Sequence, residues 1–438
     1  MNSTRFSSGR LQFRSVVFLA ACLSAGRADA QVTFQVVPAT NNLTGMGSAL
    51  ALSENGSALS GVGWSLTNWA PKAFRWTATA GTTQLNVPSA VTSSGWGVSD
   101  TGTVVAGWSF QNDIGAFIWN NGTFQTVTYR YGAAIRAVSA DGTLAVGANP
   151  ANNTSGIGIA AQWTVSTGSH TSLGDLSGGT TESEARRISA DKSTIVGWGT
   201  SASGVEAFRR VGTTMSGLGD LPGGKFFSQA FAVSSNGVVI VGRSDSTNGM
   251  QAFRWSSTNG IVPLGDLPGG AFYSEATGVS GDGAVIVGTS TSAGDTEVFV
   301  WDEGRGMRSL AALLKASGID VSTWRFTYCK PVISGDGNAL AGEAIDPNYD
   351  QVIWRLTGLR SILGVVPRPQ IYLSLPGGAP TLRFLAEAGF RYQVQSCSQL
   401  GVGAVWQNVG SIIIGDGLEH QLSFTTTAPA CFWRLLVL

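Results

Sequence analysis

The chain repeats one phrase at a nearly constant interval. LGDLPGG occupies residues 218–224 and again residues 264–270, and a near copy, LGDLSGG, begins at Leu173. An interval of 45 or 46 residues is typical of repeat architectures, in which each unit is one supersecondary element that cannot bury its apolar face alone. The sequence therefore predicts a set of similar units that cover one another.

Two further markers count the units. One is a turn of the form Ser-x-Asp-Gly or a close variant, found at residues 53–56, 99–102, 139–142, 189–192, 234–237, 280–283 and 334–337. Lys192 alone replaces its final glycine. The other is a tryptophan that closes a stretch similar to Ala-Phe-Arg-Trp, with Arg210 in its place in one unit: Trp76, Trp119, Trp163, Trp255, Trp301 and Trp354. Each marker occurs seven times, so the sequence predicts seven units.

Each unit holds four short strand-like runs separated by turn residues. In the unit at 231–267 the expected strands are 231–234, 238–244, 251–256 and 260–267. The second run contains VVIVG, which is apolar on both faces and indicates a sheet covered on both sides. Gly242 and Gly288 are expected where adjacent backbones approach closely. These features predict an all-β fold, a seven-bladed β-propeller over residues 31–364.

A propeller ring closes only if both ends of the chain contribute strands to one blade. TFQVVP, residues 33–38, occupies the place before the first unit that LGDLPG holds before later ones. It is therefore predicted to complete the blade that ends with residues 351–359. The alternative is an open solenoid, which needs polar capping units that neither end of this chain shows.

The repeated phrases from about residue 46 to residue 357 resemble the HAF repeat, a probable extracellular repeat of bacterial proteins. The last unit, residues 307–344, resembles that family's final repeat, in which a short helix and a Gly-x-x-x-x-x-Trp stretch precede the last turn. The resemblance implies a secreted or surface-attached protein, and it implies no particular activity.

The repeat stops at a proline-marked linker, residues 365–370, and residues 371–438 are predicted to form a small β-sandwich. Strict alternation in RYQVQS indicates a half-exposed antiparallel strand. This segment resembles short C-terminal modules of secreted bacterial proteins. Cys397 and Cys431 are placed to form a disulfide within it, and buried free thiols are the alternative.

The first thirty residues have the features of an export signal. Three arginines precede the apolar run at 15–26, which is too short to span a bilayer, and Ala-Asp-Ala at 28–30 predicts cleavage before Gln31. The alternative is a lipobox at 19–22, in which Cys22 becomes the lipidated N-terminus. Either interpretation predicts a secreted or cell-surface protein, and no later segment is apolar enough to span a membrane.

Composition argues against several classes of function. The net charge is zero and charged residues make up only 12% of the chain, so no basic surface for nucleic acid is predicted. The two histidines, His170 and His420, have no metal-spaced partner and are predicted to be surface turn residues. No motif for a nucleophile, a phosphate loop or a zinc peptidase occurs. We therefore predict no catalytic, metal or cofactor site.

Two recurring residue types remain as candidates for ligand binding. Asp175, Asp220 and Asp266 recur in the LGDL phrases, where a carboxylate that accepts backbone N–H bonds in a turn is favoured over a calcium or sugar ligand. The tryptophans in phase with the repeat are predicted to pack between blades. Any tryptophan that stacks on a sugar is expected among those out of phase: Trp64, Trp69, Trp96, Trp108 and Trp198.

The sequence thus favours a non-catalytic extracellular propeller that binds a glycan, a protein or an envelope component through loops at one end. One alternative is an extracellular polysaccharide hydrolase or lyase that uses carboxylates in the central channel. The other is a purely structural surface protein. The sequence names neither a ligand-binding residue nor an oligomeric state.

Overall fold

The computed structural model describes residues 32–40, 42–110, 114–128, 134–149, 158–293, 295–326, 330–364, 371–374, 381–385, 391–398, 405–414, 419–423 and 432–437. The described residues fall into two compact units, residues 32–364 and residues 371–437. Because the described chain begins at residue 32, the export signal, its cleavage and the lipidation of Cys22 lie outside it and stay predictions.

The first unit is a seven-bladed β-propeller of four-stranded antiparallel sheets. The first strand, β1 (Thr33–Val36), belongs to the last blade. Blade 1 comprises β2 (Leu43–Leu52), β3 (Ala58–Ser65), β4 (Pro71–Thr77) and β5 (Gly81–Gln84). Blade 2 comprises β6 (Thr92–Val98), β7 (Val104–Phe110), β8 (Ile114–Asn120) and β9 (Thr123–Thr128). Blade 3 comprises β10 (Ala134–Val138), β11 (Leu144–Asn149), β12 (Ile159–Thr164) and β13 (His170–Gly174).

The remaining blades follow the same order. Blade 4 comprises β14 (Gly178–Ile188), β15 (Thr194–Ser201), β16 (Gly204–Val211) and β17 (Thr214–Gly217). Blade 5 comprises β18 (Ser228–Val233), β19 (Ile240–Ser246), β20 (Gly249–Ser256) and β21 (Gly260–Pro263). Blade 6 comprises β22 (Ser274–Val279), β23 (Val285–Thr291), β24 (Thr296–Asp302) and β25 (Gly306–Ser309). Blade 7 comprises β26 (Val332–Ile333), β27 (Ala339–Ile345), β28 (Gln351–Thr357) and β1.

Blade 7 joins the two ends of the propeller. Strand β1 pairs antiparallel with β28, and Phe34 lies opposite Leu356. The Phe34 ring stacks on Trp354 with 5.7 Å between ring centroids. The predicted closure by residues 33–38 is therefore confirmed, because every blade, including the last, has four strands.

The fourth strand of a blade is shorter than the sequence indicated. In blade 5 it ends at Pro263, so the prediction of a strand that continues to residue 267 is wrong. The Leu-Gly-Asp-Leu phrase instead forms the connector to the next blade. Its leucines point into the apolar core: Leu264 and Leu267 both belong to the cluster between blades 5 and 6. Residues 264–267 resembled a strand in the sequence because their leucines are buried, although the segment pairs with no strand.

Each Ser-x-x-Gly turn is built by one buried serine. In blade 3, Ser139 donates to Asp141 Oδ1 at 2.7 Å and accepts the Leu144 N–H at 3.0 Å. The corresponding serines accept the N–H five residues on in all seven blades, and all are at most 1% exposed: Ser53, Ser99, Ser139, Ser189, Ser234, Ser280 and Ser334. The serine thus replaces water as hydrogen-bond partner in a turn that packs against its neighbours.

The apolar cores lie between blades rather than within them. One cluster joins Ala73 of blade 1 to Val105 and Phe117 of blade 2, and another joins Val196 of blade 4 to Phe253 of blade 5. This arrangement follows from the sequence, because each sheet is apolar on both faces. Gly242 permits the close packing of β18 and β19, since a Cβ there would collide with the Gln229 carbonyl.

Five of the six tryptophans predicted to be in phase lie at these interfaces. The prediction is wrong for Trp354, which lies opposite Gly342 as Phe74 lies opposite Gly61, so that Leu356 takes the tryptophan position in blade 7. Trp163 and Trp354 are fully buried, and Trp255 and Trp301 are half-buried against inter-blade clusters. In three places an arginine in the third strand of one blade lies over the tryptophan of the next blade: Arg75 on Trp119, Arg209 on Trp255 and Arg355 on Trp76, with Cζ 5.3–5.8 Å from the ring centroids. These contacts join blades through cation–π attraction.

Two short helices follow blade 6 and blade 7. Helix α1 (Leu310–Ala316) is capped by Ser309, whose hydroxyl accepts the Ala312 N–H. The predicted short helix of the last unit is therefore present. Helix α2 (Leu359–Leu363) follows β28 directly. No helix in the described part of the chain is long and apolar enough to cross a membrane.

The second unit contains two three-stranded antiparallel sheets. Its strands are β29 (Ile371–Ser374), β30 (Thr381–Leu385), β31 (Arg391–Cys397), β32 (Gln407–Ile414), β33 (Glu419–Ser423) and β34 (Phe432–Val437). The ring of Phe384 in one sheet contacts the ring of Tyr392 in the other at 5.3 Å, as expected of a small sandwich. Cys397 is buried and pairs in register with Phe432. Cys431 lies outside the described residues, so the disulfide stays a prediction.

Candidate functional site

The seven first strands surround the axis of the propeller, because each contacts the first strand of the next blade. All seven run toward the Ser-x-x-Gly turns, which therefore gather at one end, here called the turn end. The Leu-Gly-Asp-Leu connectors enter the first strands at the opposite end, here called the mouth. A cavity of about 90 Å³ lies between the two, and residues of all seven blades line it.

A β-bulge in the first strand defines which side chains reach the mouth. The pairing register shifts in six blades around the residue three positions before the turn serine. A bulge leaves one extra residue outside the ladder and redirects its side chain. The bulged residues differ widely between blades: Leu50, Trp96, Arg136, Arg186, Phe231 and Thr277.

Four of these bulges form one continuous set of contacts. The Arg136 guanidinium lies over the Trp96 ring with Cζ 3.9 Å from its centroid. Arg136 also forms an ion pair with Glu184, which is bound from the other side by Arg186 at 2.6 Å. The Arg186 guanidinium lies 5.7 Å from the ring centroid of Phe231. The contacts therefore pass through blades 2, 3, 4 and 5 in order.

The same pattern continues into blades 6 and 7. Arg243 lies 5.5 Å from the Phe231 ring centroid and pairs with Glu275 at 3.3 Å. Lys330 reaches Glu275 from blade 7 at 3.4 Å. The term mouth network refers to these eight residues: Trp96, Arg136, Glu184, Arg186, Phe231, Arg243, Glu275 and Lys330.

The mouth network carries excess positive charge. It has four cationic side chains and two carboxylates. The Glu184 carboxylate is only 6% exposed, whereas the two arginines that bind it are 27% and 29% exposed. Although burial alone would raise it, the pKa of Glu184 is lowered by Arg186 and Arg136 and by hydrogen bonds from Arg136 and Trp198. Glu184 is thus buried and ionised, and the two arginine side chains that bind it are more exposed than it is.

Arg187 extends this positive charge into the cavity. Its side chain lines the cavity, and its Nη1 donates to the carbonyls of Arg136 at 3.1 Å and Arg186 at 3.3 Å. Burial, with repulsion from Arg186 and Arg136, lowers the pKa of Arg187 to about 10. No carboxylate among the described residues forms an ion pair with it. The cavity wall therefore holds a cation that backbone carbonyls alone bind.

At the turn end the cavity is bounded by Glu54. Its side chain accepts a hydrogen bond from the Ser235 hydroxyl of blade 5, and its carbonyl accepts the Gly335 N–H of blade 7 at 2.6 Å. A Cβ at Gly335 would collide with the Glu54 carboxyl group. Burial, with repulsion from Asp100 and Asp336, raises the pKa of Glu54 to about 7. Glu54 is therefore substantially protonated near neutral pH.

The recurrent aspartates of the connectors lie around the mouth, and backbone groups bind two of them. Asp175 Oδ2 accepts the Glu182 N–H at 3.1 Å, and Asp220 accepts the Phe227 N–H. In each case the donor is seven residues on, so the carboxylate closes the connector rather than a local turn. Burial raises the pKa of Asp266. The described residues include no group of three or more His, Cys, Asp or Glu side chains that could hold a metal ion.

The structure brings three of the five out-of-phase tryptophans together. Trp96 contacts Trp108 at 6.2 Å between ring centroids, and Trp198 Nε1 donates to Glu184 at 3.0 Å. Trp64 lies near the end of β3, where it is in register with Gly45 of the first strand of blade 1, and Trp69 lies in the loop after β3 and is 70% exposed. Aromatic and cationic side chains therefore share the mouth.

Neither histidine lies in a turn, so that part of the prediction is wrong, although His170 is exposed as predicted. His170 begins strand β13 and packs against Trp163 at 5.9 Å, and His420 lies in β33 stacked on Phe384 at 6.1 Å. The turn propensity of histidine did not predict these strand positions, where each imidazole ring packs against an aromatic ring.

Sequence analysis did not find the arginines of the mouth. A usable signal existed, because in six blades the residue three positions before the turn serine is the bulged residue. The residue two positions before the turn serine lines the cavity. In blade 4 it is Arg187, and in the other six blades it is small and apolar: Ala51, Gly97, Ala137, Ala232, Gly278 and Val332.

No family model and no curated protein sequence matches the chain. Solved structures with similarity include TolB from Acinetobacter baumannii, at a TM-score of 0.40 and 13% identity over 69% of this chain and 80% of that one. A putative TolB from Agrobacterium tumefaciens gives a TM-score of 0.36 and 13% identity over 71% of this chain and 90% of that one. The strand pairing of the chain itself defines a seven-bladed β-propeller, with the mouth network as its candidate site.

Proposed function

We propose that this protein is a non-catalytic binding module of the cell exterior that takes up an anionic ligand at the mouth of its channel. The observation that carries the proposal is the charge of the mouth network, with two buried carboxylates and four cations. Arginine binds carboxylate and phosphate groups through bidentate hydrogen bonds. Location outside the cytoplasm rests on the predicted export signal and on the resemblance to the HAF repeat.

The ligand is thus expected on the first strands rather than on the loops that the sequence favoured. Fixed side chains on rigid strands lose little freedom on binding. The buried carboxylates support this role, because Glu184 holds Arg136 and Arg186 in place while their outer edges remain available to solvent. An anionic polymer, whether a glycan or an envelope component, meets the four cations of the mouth network with complementary charge.

The test compares binding of the mature chain to polyanions and to a neutral polymer, with dextran sulfate, polygalacturonate and polyglutamate against dextran. We expect binding to at least one polyanion, with affinity that falls as salt is added. The double variant Arg136→Gln, Arg243→Gln should lose at least about tenfold in affinity. The matched control is Arg305→Gln, Lys315→Gln, which removes two positive charges outside the mouth network. Equal losses in both variants would indicate attraction to net charge and would refute the proposal.

A hydrolase or lyase is the alternative function, and the raised pKa of Glu54 is the observation that favours it. Glycoside hydrolysis requires one protonated carboxyl group near one ionised carboxylate. Turnover of a polysaccharide that is abolished by Glu54→Gln and retained by Glu184→Gln would support this alternative. Failure to bind any polymer would support a purely structural role.

A further inference from the structure

Arg187 is an exception in a repeat that is otherwise uniform at its position. The six equivalent residues are alanine, glycine or valine, so the cavity wall is apolar in six blades and cationic in one. A cationic side chain in such a position loses hydration, and its charge is not balanced by an ion pair within the described residues. A repeat that tolerates alanine here has no structural need for arginine.

The free edge of Arg187 faces a space of limited size. Nη1 is already bonded to two carbonyls, and among the described residues no partner is seen for Nε or Nη2. The cavity measures about 90 Å³, whereas a cavity of about 150 Å³ is known to hold one benzene molecule. A carboxylate group fits this space.

The groups around the entrance suit a sugar. Trp96 lines both the cavity and the mouth, and Trp108, Trp198 and Phe231 lie half-buried beside it. Arg136 covers the Trp96 ring, whereas among the described residues no arginine stacks on Trp108 or Trp198. These two rings, next to the arginines of the mouth, suit a ring with an apolar face that carries an acidic substituent. An acidic peptide offers carboxylates but no such repeated ring.

Resting on the proposed function, we infer that the ligand is a uronic acid-containing oligosaccharide. Its uronate carboxylate enters the cavity and pairs with Nε and Nη2 of Arg187, while its ring stays at the mouth against the tryptophans. Arg187 is then the residue that distinguishes a uronate from the neutral sugar, and the mouth network supplies the remaining affinity through its outer cations.

The experiment measures binding of three oligouronates by calorimetry: oligogalacturonate, oligoglucuronate and an alginate oligomer, each against its methyl ester. The ester keeps the sugar and removes the charge. We expect at least one acid to bind at least about tenfold more tightly than its ester. Arg187→Ala, which installs the residue of three other blades, should abolish that preference. Arg305→Ala is the charge-matched control and should leave it unchanged.

Thermal unfolding of Arg187→Ala gives an independent readout. If the arginine serves only to bind a ligand, the free variant unfolds at the same or a higher temperature than the wild type, because an unbalanced cation has been removed. A lower unfolding temperature together with an unchanged preference for the acid would show a structural role and overturn the inference.

Other outcomes separate the two proposals. Equal binding of acids and esters, or tighter binding of a glutamate-rich peptide or inorganic phosphate than of any oligouronate, overturns the uronate assignment and leaves anion binding standing. Absence of binding by every anion overturns both.

Discussion

The guanidinium of Arg136 lies over the indole of Trp96 on the neighbouring blade, with Cζ 3.9 Å from the ring centroid. The same guanidinium pairs with Glu184 on its other side. One arginine thus connects blades 2, 3 and 4 at the point where the channel opens. The stability of the ring and the chemistry of its mouth therefore depend on the same contacts.

Removal of the Trp96 side chain should weaken both the stability of the propeller and the arrangement of its mouth. We expect Trp96→Leu to lower the free energy of unfolding by about 1–2 kcal/mol, the range for a partly desolvated cation–π contact. Urea unfolding followed by circular dichroism measures it. Trp69→Leu, at a side chain 70% exposed, is the matched control and should change stability by less than about 0.5 kcal/mol. Equal changes in the free energy of unfolding for Trp96→Leu and Trp69→Leu would mean that the contact between Arg136 and Trp96 contributes nothing measurable.

Glu184 should make the propeller sensitive to acid. Its pKa is lower in the folded protein than its ordinary value of 4.5, because Arg186 and Arg136 outweigh the effect of burial. The stability it contributes is therefore complete above pH 4.5 and lost as the pH falls through the folded-state pKa. Glu184→Gln should cost on the order of 3 kcal/mol at pH 7, and less at pH 3. Thermal unfolding of the wild type and of Glu184→Gln at pH 7 and pH 3 tests this prediction. A stability difference that is the same at both pH values would contradict it.

Glu54 should act in the opposite direction. Its pKa rises to about 7 in the folded protein, so the folded state holds a proton that the unfolded state releases between about pH 4.5 and pH 7. Stability from this residue therefore falls as the pH rises through that window. We expect Glu54→Gln to be neutral at pH 4.5 and stabilising at pH 8 by on the order of 1 kcal/mol, after allowance for solvent screening.

The melting temperature of Glu54→Gln is compared with that of the wild type at pH 4.5 and at pH 8. Asp350→Asn, in the connection between β27 and β28, is the control for removal of one acidic group from an exposed position. A uniform shift at both pH values would show that the hydrogen bond from Ser235, rather than the proton, determines the effect.

The turn serines should be individually important. In blade 6, Ser280 accepts the Val285 N–H at 3.0 Å and donates to Asp282 at 2.6 Å. Ser280→Ala leaves a buried N–H without its acceptor, which costs about 1–3 kcal/mol. Ser203→Ala, in an exposed loop, should be neutral. Ser280→Thr restores the hydroxyl and should recover part of the loss in unfolding measurements, and no recovery would argue against the hydrogen bond as the cause.

Closure of the ring should depend on strand β1. Phe34 packs between Trp354 and Trp324, at 5.7 Å and 5.1 Å between ring centroids. We expect Phe34→Ala to lower the free energy of unfolding by on the order of 2 kcal/mol. Proteolysis at low protease concentration should then cut first near the junction of blades 1 and 7. Val36→Ala, at a side chain 43% exposed, is the control, and equal protection of both variants would contradict a closing role.

Most regular features of this propeller were visible in the sequence, except the bulge of the first strand and the end of the fourth. The number of blades, the closing strand, the turn serines and the tryptophans between blades follow from local patterns that recur at one interval. Sheets that are apolar on both faces must cover one another, so a repeat of this kind already requires a ring or a solenoid.

The candidate functional residues, in contrast, lie at positions where the repeat varies from blade to blade. Arg136, Arg186 and Arg187 belong to consecutive blades, and their place two or three residues before a turn serine separates them from the arginines of the third strands that stack on tryptophans, but this place alone does not show that they meet. Only closure of the ring brings the first strands around one axis, where bulges direct those side chains to a shared opening. Local sequence determined the blade, and long-range packing decided which charges meet.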